Sequence, residues 1–323
     1  MVVPPCATIG RGFMRGAAAG RSLVKTMPVW KQLLLYLYYY GSRPLRRRQH
    51  RRAVAERRVP MIVLFYHRVA DDDANEWTVP NRTFARQICW LQDRFELISL
   101  EEVQRRLLRG SNTRPCVSIT FDDGYADNCR EAIPLLVKRQ IPCTYFVTVQ
   151  NVLEGRPFPH DLARGHSWLP NSLEQLKAMA DAGMEIGAHT YSHPDLGQLD
   201  DEPQLRREIV SAGQQLQEAL GRRVRYFAFP FGHHAHLSRK AFDLAREAGY
   251  EAVCSAYGGY NFPGDDAFHL QRIPVDETMV RLKNWTTVDP RKLGTPRFVY
   301  EASETTDVRS RMVGIAGEQP EQP

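Results

Sequence analysis

No apolar run in this sequence reaches the roughly twenty residues that a membrane-spanning helix needs. The nearest is residues 29–40, VWKQLLLYLYYY, which is too short. No small-residue cleavage site follows it, so no cleavable signal peptide is evident. RPLRRRQHRR comes next instead, and such a run holds a segment on the cytoplasmic side of a membrane. The expected location is cytoplasmic, or peripheral on the inner membrane face. The six cysteines (Cys6, Cys89, Cys116, Cys129, Cys143 and Cys254) contain no CxxC pair and no regular spacing. Cys116 and Cys143 fall in apolar runs, where a free thiol packs as a small hydrophobe. A reducing compartment fits this usage. No internal repeat is evident.

Most of the chain also lacks net positive charge, although the whole carries +6. Residues 1–58 hold thirteen Lys and Arg against Glu56 alone, a net +12, which leaves −6 for residues 59–323. An acidic body argues against a nucleic-acid-binding face, and no nucleic-acid partner is expected. The basicity belongs to an N-terminal arm, residues 1–58. Its aromatic residues followed by clustered arginines suit an interfacial anchor on an anionic membrane surface, through residues 29–58. They also suit a solvated basic leader, and Met27 offers an alternative start. Residues 301–323, ending in EQPEQP, read as a polar tail.

Between arm and tail, residues 59–300 alternate short β-rich runs with amphipathic helical stretches. The strand candidates are 61–66, 116–121, 143–149, 184–188, 226–231, 252–255 and 270–275. The helical patterns are 83–95, 100–108, 126–139, 172–182, 204–220 and 238–248. Ser172 opens SLEQ, a capping-box pattern, and Gly183, Gly221 and Gly249 follow helix ends. Such alternation implies parallel strands with helical crossovers. The continuous apolar strands imply burial on both faces. The expected class is α/β, a closed or nearly closed barrel of about seven strands.

The polar residues fall where such a barrel does its chemistry. His67 ends MIVLFY, Asp122 and Asp123 end VSITF, His189 ends MEIGA, and the turn Pro230–Gly232 ends YFAF. Each lies at the carboxyl end of a strand, so four segments converge on one rim. Two adjacent acids ending a buried strand repel each other unless a cation or a proton lies between them. His189 and His193 stand four apart in HTYSH, and Pro194 disfavours helix at His193, so a loop turn is expected there. One Asp with two His supplies three N/O ligands and leaves a position for water, as in catalytic zinc sites.

TFDDGYADN, GAHTYSHPDL and YFAFPFG, in this order and spacing, resemble the polysaccharide deacetylase family, the NodB-homology or carbohydrate esterase family 4 domain. The resemblance spans roughly residues 60–290, with a NodB core at about 114–290. It implies a distorted (β/α)7 barrel and a divalent metal, most commonly Zn2+. It also implies hydrolysis of acetyl groups from N-acetylglucosamine polymers, or O-acetyl groups in some members. Carried over, Asp122 is the catalytic base and Asp123, His189 and His193 are the metal ligands. The Tyr125 N–H stabilises the oxyanion, and Pro230 and Gly232 belong to the substrate-side turn.

Two departures stand out. The third motif usually reads R-P-P-Y-G with its Arg orienting the catalytic Asp, but Ala228 occupies that place. Arg272, in HLQRIPV, is the candidate on the same rim. No histidine follows residue 275, so the late L-x-H motif that supplies the general acid is also absent. FYHRV at the first strand resembles a circularly permuted branch that includes exopolysaccharide (poly-N-acetylglucosamine) deacetylases, which makes His67 the acid. His233, His234 and His236 line a groove or are solvated. His160 and His166 lie in a Pro/Gly-rich insertion, residues 155–170, that could form a lid, and Trp168 either stacks on a sugar or packs. The reading is a deacetylase of an acetylated glycan. The alternatives are a barrel that binds glycan without turnover, and a hydrolase of another acylated substrate.

Overall fold

The computed structural model describes residues 27–300. The calls on residues 1–26 and on the tail lie outside them. Eleven strands occur among the described residues: β1 (Met61–Tyr66), β2 (Arg68–Val69), β3 (Thr78–Val79), β4 (Glu96–Leu97), β5 (Cys116–Phe121), β6 (Cys143–Val147), β7 (Glu185–Ala188), β8 (Tyr226–Ala228), β9 (Ala252–Cys254), β10 (His269–Leu270) and β11 (Arg272–Pro274). The main sheet is parallel, in the order β10-β9-β8-β7-β6-β5-β1-β11, with β4 alongside β5. Only Gln271 separates β10 from β11, yet they stand at opposite ends of that order. The segment 269–274 therefore pairs with β9 through its first half and with β1 through its second. One strand in two pieces brings the sheet round into a seven-membered ring, the (β/α)7-type barrel that the sequence implies.

Side chains alternate across this ring with the period of two that strands impose. Met61 and Val63 of β1 face inward with Phe146, Tyr226, Ala252, Cys254 and Leu270 and fill the barrel. Ile62, Leu64 and Tyr66 face outward into the larger core beneath the helices. Every residue of β1 and β5 is buried, as their largely apolar sequences imply, with Ser118 and Thr120 of β5 buried among them. Ser172 caps the helix Leu173–Asp181 in a full capping box. Cys116, Cys143 and Cys254 are buried free thiols and Cys129 is a half-buried one. Cys6 lies outside the described residues, and Cys89 is not among the free thiols.

Several boundaries differ from the sequence reading. The strand expected over 143–149 stops at Val147, because a helix, Val149–Glu154, begins there. The run 226–231 stops at Ala228, where the chain turns to the rim. The pattern over 126–139 divides into a 3-10 turn, Ala126–Cys129, and a helix, Ala132–Lys138. Pro134 explains the break, since proline is tolerated only in the first turn of a helix. The pattern over 204–220 contains a π-helical segment, Arg207–Ser211.

Nor is the N-terminal region a solvated leader over the described part. Val29–Gly41 (α1) and Arg43–Ala55 (α2) are helices. Arg46 is buried, donating to the Asn284 carbonyl at 2.8 Å and to Asn284 Oδ1 at 2.7 Å. Tyr38 donates to Asp289 at 2.7 Å. These contacts tie the helical pair to the helix Met279–Thr286, which follows β11. A run of arginines carries no apolar periodicity, so sequence gave no sign that one of them is a buried hydrogen-bond donor.

Gly187 in β7 marks a tight point of the barrel. A Cβ there would overlap the Phe146 ring and stand 3.0 Å from the Tyr226 carbonyl. Gly187→Val is expected to destabilise the fold by about 1–3 kcal/mol, the usual cost of overpacking, measured by urea unfolding. An unchanged midpoint would show that the interior has room to give.

Candidate active site at the carboxyl rim

Strand register decides which side chains meet at this rim. Phe65 aligns with Thr120, which aligns with Thr144, and Val63 aligns with both Ser118 and Arg272. Alternation then places His67, Asp122 and Arg272 on the inner face of the barrel. Arg272 is fully buried and grips Asp122 with two parallel hydrogen bonds, 2.6 Å to Oδ1 and 2.8 Å to Oδ2. The same guanidinium donates to Thr120 Oγ1 and to the Ser255 carbonyl, both at 3.1 Å. It lies over the rings of Phe65 and Phe146 at 4.7 and 5.2 Å. Four of its five N–H bonds thus have protein acceptors and two rings lie against the group, so its orientation is fixed.

Asp123 would point outward if the strand continued. Its φ of +71° turns the chain back instead, so adjacent carboxylates reach the same cavity from different directions. Asp tolerates this left-handed conformation better than most residues. Gly124 follows at φ +96°, and a Cβ there would stand 3.0 Å from Val147 Cγ1, so only glycine completes the turn. The turn is pinned by the Thr148 N–H on the Asp123 carbonyl and the Asn171 N–H on the Gly124 carbonyl.

His189 Nε2 and His193 Nε2 approach Asp123 Oδ1 to 3.5 and 3.3 Å. That oxygen is buried and has no hydrogen-bond partner. Burial alone would raise the Asp123 pKa, but the facing imidazoles of His193, His67 and His189 hold it below the usual carboxylate range. His189 donates from Nδ1 to the Ala228 carbonyl at 2.8 Å, which leaves Nε2 with its lone pair toward Asp123. Burial pushes the His189 pKa down to about 4, so this ring is neutral at pH 7. One carboxylate oxygen and two imidazole nitrogens within 4.8 Å of one another form the one such cluster among the described residues. An orphaned buried oxygen facing two imidazole nitrogens fits a divalent cation.

The loop carrying the two histidines is itself strained, with Thr190 at φ +62° and His193 at φ +64°. Glu208, in the π-helical segment, holds it by accepting from the Ser192 N–H at 2.8 Å and the Ser192 hydroxyl at 2.7 Å. The wider π turn directs this acid inward, a role π segments often take beside functional sites. Sequence reading passed over Glu208. A charged residue among the apolar positions of REIV was the available signal.

His67 stands at the end of β1, half-buried, with its ring 4.8 Å from Trp77 and 5.5 Å from Phe65. Asn128 of TFDDGYADN clamps that segment, donating to the His67 carbonyl and accepting from the Val69 N–H, both at 2.8 Å. The Tyr125 N–H has no acceptor among the described residues, while its hydroxyl donates to the buried Asp161 at 2.7 Å. Pro230 and Gly232 form a tight turn around Phe231, whose exposed ring lies 5.2 Å from that of His193.

The insertion 155–170 supplies a residue that sequence placed only loosely. His160 brings its ring within 5.1 Å of His193 and its Nε2 to 3.3 Å from the Tyr125 hydroxyl. His166 instead bonds Asp73 and stacks on Trp168, which packs with Tyr125 and Phe158. His236 is held by Asp195 at 2.7 Å, and His234 reaches the Pro296 carbonyl.

The sequence profile of the polysaccharide deacetylase family matches residues 109–253. Over that stretch, just under half of its length, the chain is similar to the polysaccharide deacetylases, a class of enzymes. Among similar proteins, YxkH of Bacillus subtilis, named for polysaccharide deacetylases, is 26% identical over 226 residues, 69% of this chain and 74% of YxkH. The structure of IcaB from Ammonifex degensii superposes with a TM-score of 0.58 at 26% identity, covering 71% of this chain and 97% of IcaB. The Streptococcus pyogenes deacetylase PplD shares the fold, with a TM-score of 0.60, 24% identity, and coverage of 72% and 99%.

The geometry separates the two carboxylates. Asp123→Asn is expected to lower divalent-metal occupancy several-fold, whereas Asp122→Asn keeps it, both measured by elemental analysis of the purified protein. Equal loss in the two variants would contradict this division.

Proposed function

We propose that this protein is a metal-dependent hydrolase that removes acetyl groups from N-acetylated amino sugars of a glycan, breaking a carbon–nitrogen bond that is not a peptide bond. One observation carries the reading. Two neighbouring acids on one rim are separated by their partners, Asp122 on Arg272 and Asp123 on two imidazoles. Asp123, His189 and His193 would hold a divalent cation, Zn2+ by the preference of such a donor set. When bound, the cation supplies Lewis acidity, which polarises the acetyl carbonyl and makes hydroxide available near pH 7.

The chain's own residues account for the remaining steps. Asp122, turned from the cation by Arg272, accepts the proton of the attacking water. The Tyr125 N–H, free of any backbone acceptor, donates to the oxygen that gains charge as the tetrahedral centre forms. His67 gives a proton to the departing nitrogen, since an amine anion is too poor a leaving group. Acetate and the free amino sugar result. Pro230, Phe231 and Gly232 line the substrate side of the rim, where the exposed Phe231 ring offers a stacking face for a sugar.

We also propose that the helical pair acts at an anionic membrane surface. No described helix is long and apolar enough to cross a membrane. Trp30, Leu33, Leu34 and Leu37 nevertheless remain exposed along α1, next to the exposed arginines of α2. An apolar stripe beside a basic helix is the chemistry of an interfacial anchor.

Two outcomes test these readings. Acetate release from N-acetylglucosamine oligomers should cease with chelator and return with Zn2+, and Asp122→Asn should lower the rate by about 10²–10⁴-fold. Chelator-insensitive release would sink the metal mechanism. Flotation with anionic vesicles should weaken as salt rises and fail for Leu33→Ser/Leu37→Ser. Equal binding to neutral vesicles would contradict the electrostatic part.

A further inference from the structure

A cavity of about 310 Å³ lies far from the rim, where α2 crosses the amino ends of β1 and β5. Its wall is apolar, formed in part by Val59, Ile62, Phe95 and Val288. Its edge is cationic: Arg43, Arg47 and Arg94 all border it, and no Asp or Glu does. Arg47 has no ion-pair or hydrogen-bond partner among the described residues. Arg43 meets only the Tyr40 ring, at 5.7 Å, and Arg94 reaches only Asp93, at 3.7 Å, and the Trp90 carbonyl and ring. Arg46 differs, since its guanidinium is consumed in joining α2 to the body.

Guanidinium groups with few anionic partners repel one another, and a concave apolar surface left to water is unfavourable. One molecule relieves both conditions if it carries an anionic head and a hydrocarbon chain. The volume falls at the lower end of the roughly 300–1,000 Å³ usual for small-molecule sites. Guanidinium groups favour phosphate, which they bind through forked hydrogen bonds. The exposed stripe of α1 belongs to the same helical pair that lines the cavity, which makes a lipid of the facing membrane leaflet the source of the ligand.

We propose that this cavity binds a single anionic lipid, its phosphate between Arg43, Arg47 and Arg94 and its acyl chain against Ile62, Phe95 and Val288. The inference deepens the membrane reading of the helical pair and rests on it for the source of the ligand. The site itself is testable without a membrane. It is independent of the deacetylase chemistry, because none of these residues reaches the rim.

Dodecyl phosphate below its micellar concentration provides the probe, titrated calorimetrically into the full chain. The expected result is one site per chain, with affinity at least about tenfold above that for dodecyl maltoside, or about 1.4 kcal/mol. Val288→Phe, which fills the cavity, and Arg47→Glu, an exposed charge reversal, should each weaken binding about tenfold or more. Circular dichroism confirms that each variant is folded, and Arg47→Glu decides should Val288→Phe not fold. Absence of saturable binding, wild-type affinity in Arg47→Glu, or equal affinity for the neutral surfactant overturns the proposal. Full displacement by millimolar inorganic phosphate also overturns it, since the site would then hold an anion and no chain. Leu33→Ser/Leu37→Ser separates the two readings. Retained dodecyl phosphate binding with lost flotation in that variant supports both, whereas flotation of the unsubstituted chain with no dodecyl phosphate binding leaves the surface anchor standing and removes the cavity site.

Discussion

The rim depends on one buried ion pair. Arg272 and Asp122 meet inside the barrel with 0% and 4% of their side chains exposed. Breaking such a pair by removing one partner commonly costs about 3–5 kcal/mol, because the other charge is left buried. Arg272 belongs to the segment that closes the ring. It bonds the Ser255 carbonyl just past β9, Thr120 of β5 and Asp122 beyond it. Barrel closure and orientation of the acid are therefore the same set of contacts. In the proposed mechanism this is what keeps Asp122 available as a base, since a carboxylate beside a dication otherwise tends to join its ligands.

Backbone strain does the complementary work. Asp123, Thr190, His193 and Phe231 all have positive φ, and all lie on the rim. Such conformations cost of order 1–3 kcal/mol in many residues and persist only where surrounding bonds enforce them. The enforcement is visible: Thr148 and Asn171 pin the Asp123–Gly124 turn, and Glu208 pins Ser192 between the two histidines. Asn128 ties the segment after β1 to the segment after β5. The side chains proposed for chemistry thus rest on a second group of polar residues whose contribution is positional.

What sequence made legible follows from the strength of each local signal. β1 and β5 were read to the residue because β-rich runs between a proline and a polar residue (Pro60 and His67, Pro115 and Asp122) leave little choice of boundary. The likeness to deacetylases was legible from motifs at strand ends, and the barrel from alternating strands and helices. The split of the last strand was not, because its two pairings depend on how the ring closes, which no local pattern encodes. The helix Met279–Thr286 and both N-terminal helices were missed, since what holds them is contact with one another and through Arg46, while the apolar stripe of α1 stays exposed. His160 reached the rim from an insertion rich in Pro and Gly, where periodicity says nothing about direction. Glu208 was hidden inside an amphipathic pattern that the π segment interrupts.

The central claim is that Arg272 holds Asp122 apart from the ligand set of Asp123, His189 and His193. Anomalous diffraction from crystals of the Zn2+-loaded protein tests it most directly. The account predicts one metal peak within bonding distance of Asp123, His189 and His193, with Asp122 still in bidentate contact with Arg272. A metal bonded to Asp122, with Arg272 released from it, would contradict the account.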